Sequence, residues 1–164
     1  MDAVPIPQLS EQELKDCLRR ASSSTRRRYA NVLHDPGDEF NRVVNFIMQD
    51  SYMQPHLHPG AEKVEKIYLM QGKIAVLFFD DQGAVKKCVI LEEGGVGYVE
   101  VPAFTWHTYV MLSDYAISYE TMMGVYEPKT WKEFAPWAPP ENTPRGSIYL
   151  KYLKEEAAKG AVGH

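Results

Sequence analysis

Gln54-Pro55-His56-Leu57-His58-Pro59-Gly60-Ala61-Glu62-Lys63-Val64-Glu65-Lys66-Ile67-Tyr68-Leu69-Met70-Gln71-Gly72 is the stretch from which the fold of this chain is read. In an extended strand, side chains at i and i+2 point to the same face, about 6.6 Å apart along the strand. His56 and His58 therefore stand side by side. Metal–nitrogen bonds are about 2.1 Å long, so both imidazoles can reach one ion above the strand. A turn is expected at Pro59-Gly60, after which the next strand brings Glu65 back towards the pair. Gln71-Gly72 is expected to close a two-residue hairpin, its Gly taking the positive φ that such turns need.

One more ligand completes the set. Val101-Pro102-Ala103-Phe104-Thr105-Trp106-His107 offers it, with His107 opening a strand that runs on through Thr108, Tyr109, Val110 and Met111. Three neutral imidazoles and one carboxylate suit a divalent transition metal ion such as Zn, Fe, Mn or Ni, and also admit Cu. The ligand types do not choose among them.

At these residues the chain resembles a cupin. The first cupin motif is HxH, a short gap, Glu, six residues and Gly, and six residues separate Glu65 from Gly72. The second is PxGxxH, matched by Pro102, Phe104 and His107, with Phe104 standing where the motif has Gly. Glu65 is further from His58 than the motif usually has it. Glu62 fits that gap but not the gap to Gly72. Glu65 is preferred because its place on the returning strand fixes where it points.

Within the cupins, the chain is similar to the WbuC family of cupin-fold metalloproteins, associated with surface-polysaccharide gene clusters. The resembling residues run from about Arg26 to about Pro139. They include Asn31 and His34, Ser51-Tyr52, Pro55-His56 and His58, Phe79-Asp80-Asp81 and Gly83, and Glu100, Pro102 and Trp106-His107. Gly124, Tyr126 and Pro128 follow, then Phe134-Ala135 and Trp137-Ala138-Pro139. Tyr119-Glu120-Thr121-Met122-Met123-Gly124 departs from the more charged run of that family. The resemblance implies a mainly β, cupin-type double-stranded β-helix (a jelly-roll barrel) with flanking N- and C-terminal helices. It also implies a metal at His56, His58, Glu65 and His107, and a substrate that is a sugar or nucleotide-sugar.

The rest of the chain is consistent with one such unit. A length of 164 residues supports one substantial core. The formal charge is 18 − 22 = −4, which gives no global attraction to nucleic acid or anionic lipid. Cys17 and Cys88 lie in unrelated contexts and do not make a disulfide scaffold, so a reducing compartment is expected. The start is acidic and lacks the apolar core of a signal peptide, and the longest apolar run, Ile74–Phe79, is too short to span a bilayer. A cytoplasmic location is expected.

In chain order, residues 1–28 hold a Pro-containing arm (1–9) and a helix. Ser10 and Glu13 form a capping box, and Leu14, Cys17, Leu18 and Ala21 make the apolar stripe. Arg26-Arg27-Arg28 reads as a solvated turn or as an anion contact at the pocket mouth. Residues 29–127 hold the barrel, with strands expected near 41–49, 51–58, 63–70, 73–79, 85–91, 96–101, 107–112 and 115–121. Residues 128–164 hold an aromatic, Pro-rich wrap over Trp131–Pro140, which cannot be regular strand, then a helix over about Ser147–Lys159.

Strand alternation places Tyr52, Gln54, His56 and His58 on one face, and His107, Tyr109 and Met111 on another. Arg42, Tyr52, Gln54, His34 and Tyr109 are the candidates to hold a substrate. The ligand class is a polar or anionic small molecule, with no nucleic acid or membrane partner. A homodimer is expected, because the arm and the aromatic wrap give more apolar surface than one small barrel covers. A metal-dependent isomerase, hydrolase or dioxygenase and a non-catalytic small-molecule binding or sensing module both remain open, since metal-bearing cupins support several chemistries.

Overall fold

Ser10 accepts a hydrogen bond from the Glu13 backbone N–H, while the Glu13 carboxylate accepts one from the Ser10 N–H, so the expected capping box starts α1 (Glu11–Ser23). The computed structural model describes residues 6–162 of the chain. Most of the N-terminal arm, residues 1–5, lies outside the described residues. Cys17 and Ala21 are buried under α1, flanked by Leu14 and Leu18.

Among the described residues ten strands follow: β1 (Arg28–Val32), β2 (Phe40–Met48), β3 (His56–Leu57), β4 (Glu65–Gln71), β5 (Lys73–Phe79), β6 (Val85–Glu92), β7 (Tyr98–Val101), β8 (His107–Met111), β9 (Tyr115–Met123) and β10 (Glu133–Phe134). They form two antiparallel five-stranded sheets, ordered β1-β2-β9-β4-β7 and β10-β3-β8-β5-β6. The chain is mainly β with a helix at each end, and its two-sheet form is the jelly roll of the cupins. A second helix, α2 (Pro144–Val162), closes the described chain. It begins three residues before the expected Ser147. Pro144 presets the helical φ at the first position, and the Thr143 hydroxyl accepts from the Gly146 N–H.

Packing follows from alternation along the strands. The inward faces of both sheets bury Ile47, Ile67, Ile74, Val76, Phe78, Leu91, Val101 and Met111. The outer face of the first sheet carries Val44, Phe46, Ile117 and Tyr119 against α1. That of the second carries Ala75, Leu77 and Val110 against Leu150, Leu153 and Ala157 of α2. Layers therefore run α1, sheet, core, sheet, α2. Among the described residues no helix is long and apolar enough to cross a membrane.

Four expectations are corrected here. The Trp131–Pro140 wrap does hold strand: Glu133 and Phe134, neither of them Pro, form β10 and pair antiparallel with Leu57 and His56 of β3. Gln71-Gly72 does not close a hairpin, because β4 and β5 belong to different sheets. Gly72, at φ +94°, is where the chain crosses between them, and a Cβ there would lie 2.6 Å from the Tyr115 carbonyl oxygen. The strand expected over 51–58 shrinks to His56–Leu57, since Pro55 and Pro59 flank it and lack the ladder donor. Part of the basic run expected as turn is strand: Arg28 opens β1, which pairs along β2 from Arg28–Ile47 to Val32–Val43. Arg27 just before it sits at φ 59°.

Candidate metal centre

His56 and His107 face each other as a cross-strand pair of β3 and β8, so the second sheet sets two imidazoles side by side with ring centroids 4.5 Å apart. His58 follows two residues after His56 and turns to the same side, its ring 5.1 Å from His56 and 5.6 Å from His107. Glu65 opens β4 in the opposite sheet and reaches across the interior. One ligand atom from each of the four lies within 4.8 Å of all the others, and all four residues are buried. Glu62 takes no part: it is exposed and borders Gly60 and Gly124 instead.

The loop ahead of His107 explains the odd residue of the second motif. Phe104 has φ 60°, the left-handed conformation that Gly adopts without cost. The motif position thus keeps its backbone shape without its usual residue. Its N–H donates to the His58 carbonyl at 3.0 Å, which ties the two halves of the site together.

Hydrogen bonds fix the imidazole tautomers. Each Nδ1 meets a backbone carbonyl: His56 to Gln54 at 3.0 Å, His58 to Trp131 at 2.9 Å and His107 to Thr105 at 2.8 Å. A carbonyl can only accept, so Nδ1 carries the hydrogen and Nε2 keeps the lone pair. The Nε2 atoms of His107 and His58 lie 2.9 and 3.4 Å from one Glu65 oxygen. Burial, then the neighbouring His107, His58 and Lys132, pushes the His56 pKa well below the usual range, so its ring is neutral. Burial works against the Glu65 charge, but the polar groups around it, Glu120 first and then His107 and His58, outweigh it and hold the carboxyl well below the usual range. Converging imidazole lone pairs on an anionic oxygen, each ring held from behind, form a donor set that fits a divalent transition metal.

A second buried carboxyl stands behind the first. Tyr109 Oη contacts Glu65 Oε1 and lies 3.0 Å from Glu120 Oε1. A phenol has one proton to give, so one of these contacts needs a proton from a carboxyl. Burial, then the Glu65 contact and charge, raises the Glu120 pKa well above the usual range. Asn45 and Ser118 donate to Glu120 Oε2, which leaves Oε1 as the protonated oxygen. The chain runs from Glu120 O–H to Tyr109, and from Tyr109 O–H to Glu65.

These groups open on a cavity of about 290 Å³ whose lining includes His56, His58, Glu65, Tyr109 and Glu120. Its other walls bring in Asn41, Asn45, Arg26, Arg28, Trp131 and Lys132. Of the five substrate candidates, only Tyr109 lines this cavity. Arg42 alternates to the outer, α1-facing side of β2, where its Nε donates to Tyr119 Oη at 2.9 Å. Tyr52 sits in the cluster beside α2, its hydroxyl donating to the Pro139 carbonyl at 2.7 Å. Gln54 hydrogen-bonds the Ala135 and Ala138 carbonyls of the wrap. Both were expected on the histidine face, but residues 51–55 are not strand, so alternation does not hold there. His34 lines an adjoining hollow and accepts the Arg42 N–H through Nδ1 at 3.0 Å.

Glu120, Asn41, Asn45 and Lys132 were missed. Glu120 had a signal: it shares strand parity with Ala116 and Ser118 on the expected strand 115–121. Lys132 had none, lying in the irregular wrap where no periodicity operates. Part of the basic run does reach the cavity mouth. Arg28 Nη2 donates to both carboxylate oxygens of Glu141, at 2.9 and 2.8 Å, and Arg26 Nε adds a third contact at 3.1 Å.

The family model described as "Domain of unknown function (DUF6016)" matches residues 9–91. No curated protein matches by sequence. An oxalate oxidase in complex with the substrate analogue glycolate is similar at TM-score 0.54 and 14% identity, over 85% of this chain and 76% of that one. The Cnp3 cupin domain of Schizosaccharomyces pombe follows at TM-score 0.46 and 15% identity, over 59% and 64%. Against the Lactobacillus farciminis oxalate decarboxylase formate complex, with TM-score 0.47 and 16% identity, 59% of this chain spans only 27% of that one. The likeness to the oxalate oxidase concerns the fold, a two-sheet jelly roll.

Proposed function

The chain belongs to the DUF6016 family, and we propose that it is a metal-dependent enzyme acting on a small polar molecule. One observation carries this reading. Three imidazoles, each with Nδ1 committed to a backbone carbonyl, converge with Glu65 at the wall of a cavity. His56, His58, Glu65 and His107 would hold one divalent transition metal, Zn, Fe, Mn or Ni. A metal bound there supplies a Lewis acid that polarises a substrate oxygen.

The chain's own residues do the rest. The backbone carbonyls of Gln54, Trp131 and Thr105 hold the rings in register. Glu120 keeps a proton at Oε1, and Tyr109 links it to Glu65. Both line the cavity, so a substrate there meets this hydrogen-bonded carboxyl–phenol chain beside the ligand cluster. A cavity of about 290 Å³ lies at the small end of the range for small-molecule sites, roughly 300–1,000 Å³. That size favours a sugar or a small carboxylate over a whole nucleotide-sugar. The finer reading, a WbuC-type protein of surface-polysaccharide synthesis, is supported by the quoted residues from Arg26 to Pro139, and a cytoplasmic setting by the two unrelated cysteines.

Metal analysis of protein purified without added metal tests the reading, with close to one equivalent expected. Glu65→Gln is expected to weaken retention at least tenfold more than Glu62→Gln, because only Glu65 points into the cluster. The reverse order would assign the carboxylate to Glu62.

The protein is further proposed to form a homodimer. Val32, Tyr126 and Phe134 support this, being large apolar side chains left 44–55% exposed. Sedimentation at micromolar concentration is expected to give twice the 18.7 kDa chain mass. Monomer alone would refute the dimer.

A further inference from the structure

The cavity beside the ligand cluster has two unmet demands. Its wall carries three basic groups, Arg26, Arg28 and Lys132, and the acids near them are the largely buried Glu141 and, on the same lining, Glu65 and Glu120, which are tied up in the ligand cluster and its Tyr109 link. Glu141 is already committed to both arginines. Arg28 also spends its second nitrogen on Ser51 Oγ and the Tyr52 carbonyl, each at 3.3 Å. Lys132 is left over. Among the described residues it makes no ion pair, and its one close neighbour of note is the Phe134 ring, 4.9 Å from Nζ. Burial, then Arg26 and Arg28, lowers its pKa against the opposing pull of Glu141 and Glu65.

The second demand is for a donor. Asn41 is 4% exposed, lines the same cavity, and its Oδ1 has no hydrogen-bond partner. The amide cannot be turned to relieve this. Its nitrogen donates to the Met122 carbonyl at 3.2 Å and to the Gly124 carbonyl, and neither would accept an oxygen in its place. A buried acceptor without a donor is costly, so a ligand hydroxyl there is favoured.

We infer that the cavity takes a small hydroxylated oxyanion, a hydroxy acid or a phosphate monoester of similar size, with its anionic group on Lys132 and a hydroxyl donating to Asn41 Oδ1. The inference names the substrate class for the site proposed above and rests on that reading. The bland alternative is a lysine that simply reaches solvent past an aromatic ring, which would give no ligand selectivity.

The test is calorimetric titration of the full chain, as purified and after chelation, with lactate, propionate, propane-1,2-diol and glycerol 3-phosphate. Lactate or glycerol 3-phosphate is expected to bind at least tenfold tighter than the diol. Whichever of the two prevails identifies the oxyanion. Lys132→Ala is expected to erase that preference and Lys132→Arg to keep most of it. Lactate is also expected to exceed propionate, which lacks the hydroxyl, so Asn41 need not be mutated.

Equal binding by wild type and Lys132→Ala, or a diol as tight as the acid, would overturn the inference, as would lactate no better than propionate. Failure here with one equivalent of metal present would leave the metal reading standing. Anion binding that depends on Lys132 in protein that never holds metal would do the opposite.

Discussion

Protein carrying both His56→Ala and His58→Ala is expected to lose its metal. Groups that hydrogen-bond a metal's ligands are each worth about 10–100-fold in affinity, so loss of two direct ligands is expected to cost at least ~100-fold. Only His107 and Glu65, 2.9 Å apart, would remain as ligands. Elemental analysis after dialysis, beside wild type, reads the result, and the circular dichroism of both should agree. His56 and His58 are not part of the apolar core, so the sheets keep their packing. A folded double variant with wild-type metal content would sink the four-residue assignment.

The second large effect concerns backbone, not ligands. Gly72→Ala is expected to destabilise the protein by about 2–5 kcal/mol. About 1–2 of this comes from forcing a Cβ into the left-handed region. Overpacking adds about 1–3, since the new Cβ would meet Tyr115 O at 2.6 Å, Ser113 Oγ at 2.8 Å and Ala116 Cα at 3.0 Å. For a chain of this size that lowers the melting temperature by about 4–20 °C. Gly37→Ala is the control. Its φ is +91° but nothing lies within 4 Å, so only the backbone cost applies. Thermal unfolding of both variants should show the larger drop for Gly72. Equal drops would mean that the close approach at the sheet crossing does not matter.

Much of the site could be read along the chain because its information is local. His56, Leu57 and His58 need only an extended backbone to put both rings on one side, and they have it even where the strand is two residues long. Glu65, Ile67 and Leu69 share the inward face of β4, as do His107, Tyr109 and Met111 on β8, because alternation holds wherever a ladder is intact. Where the ladder fails, so did the reading. Pro55 stops β3, and Tyr52 and Gln54 leave the histidine face for the wrap and α2. Arg42 failed differently. Its strand was placed correctly, but a strand does not say which of its faces is inside, and burial of Ile47 against the core puts Arg42 outside.

By itself the sequence determined that His56, His58, Glu65 and His107 cluster, the β-rich class, the capped first helix and the alternation that aims each strand residue. These depend on spacings of a few residues, which propensity and stereochemistry control. Only the tertiary structure decided which sheet each strand joins, that Gly72 marks a crossing and not a hairpin, and that Glu120 stands behind Glu65. It alone brought Lys132, Asn41 and Arg28 to one cavity from the wrap, β2 and β1. Those meetings join residues up to about a hundred positions apart, and they are fixed by burial of two sheet faces against each other, a demand that no local pattern encodes.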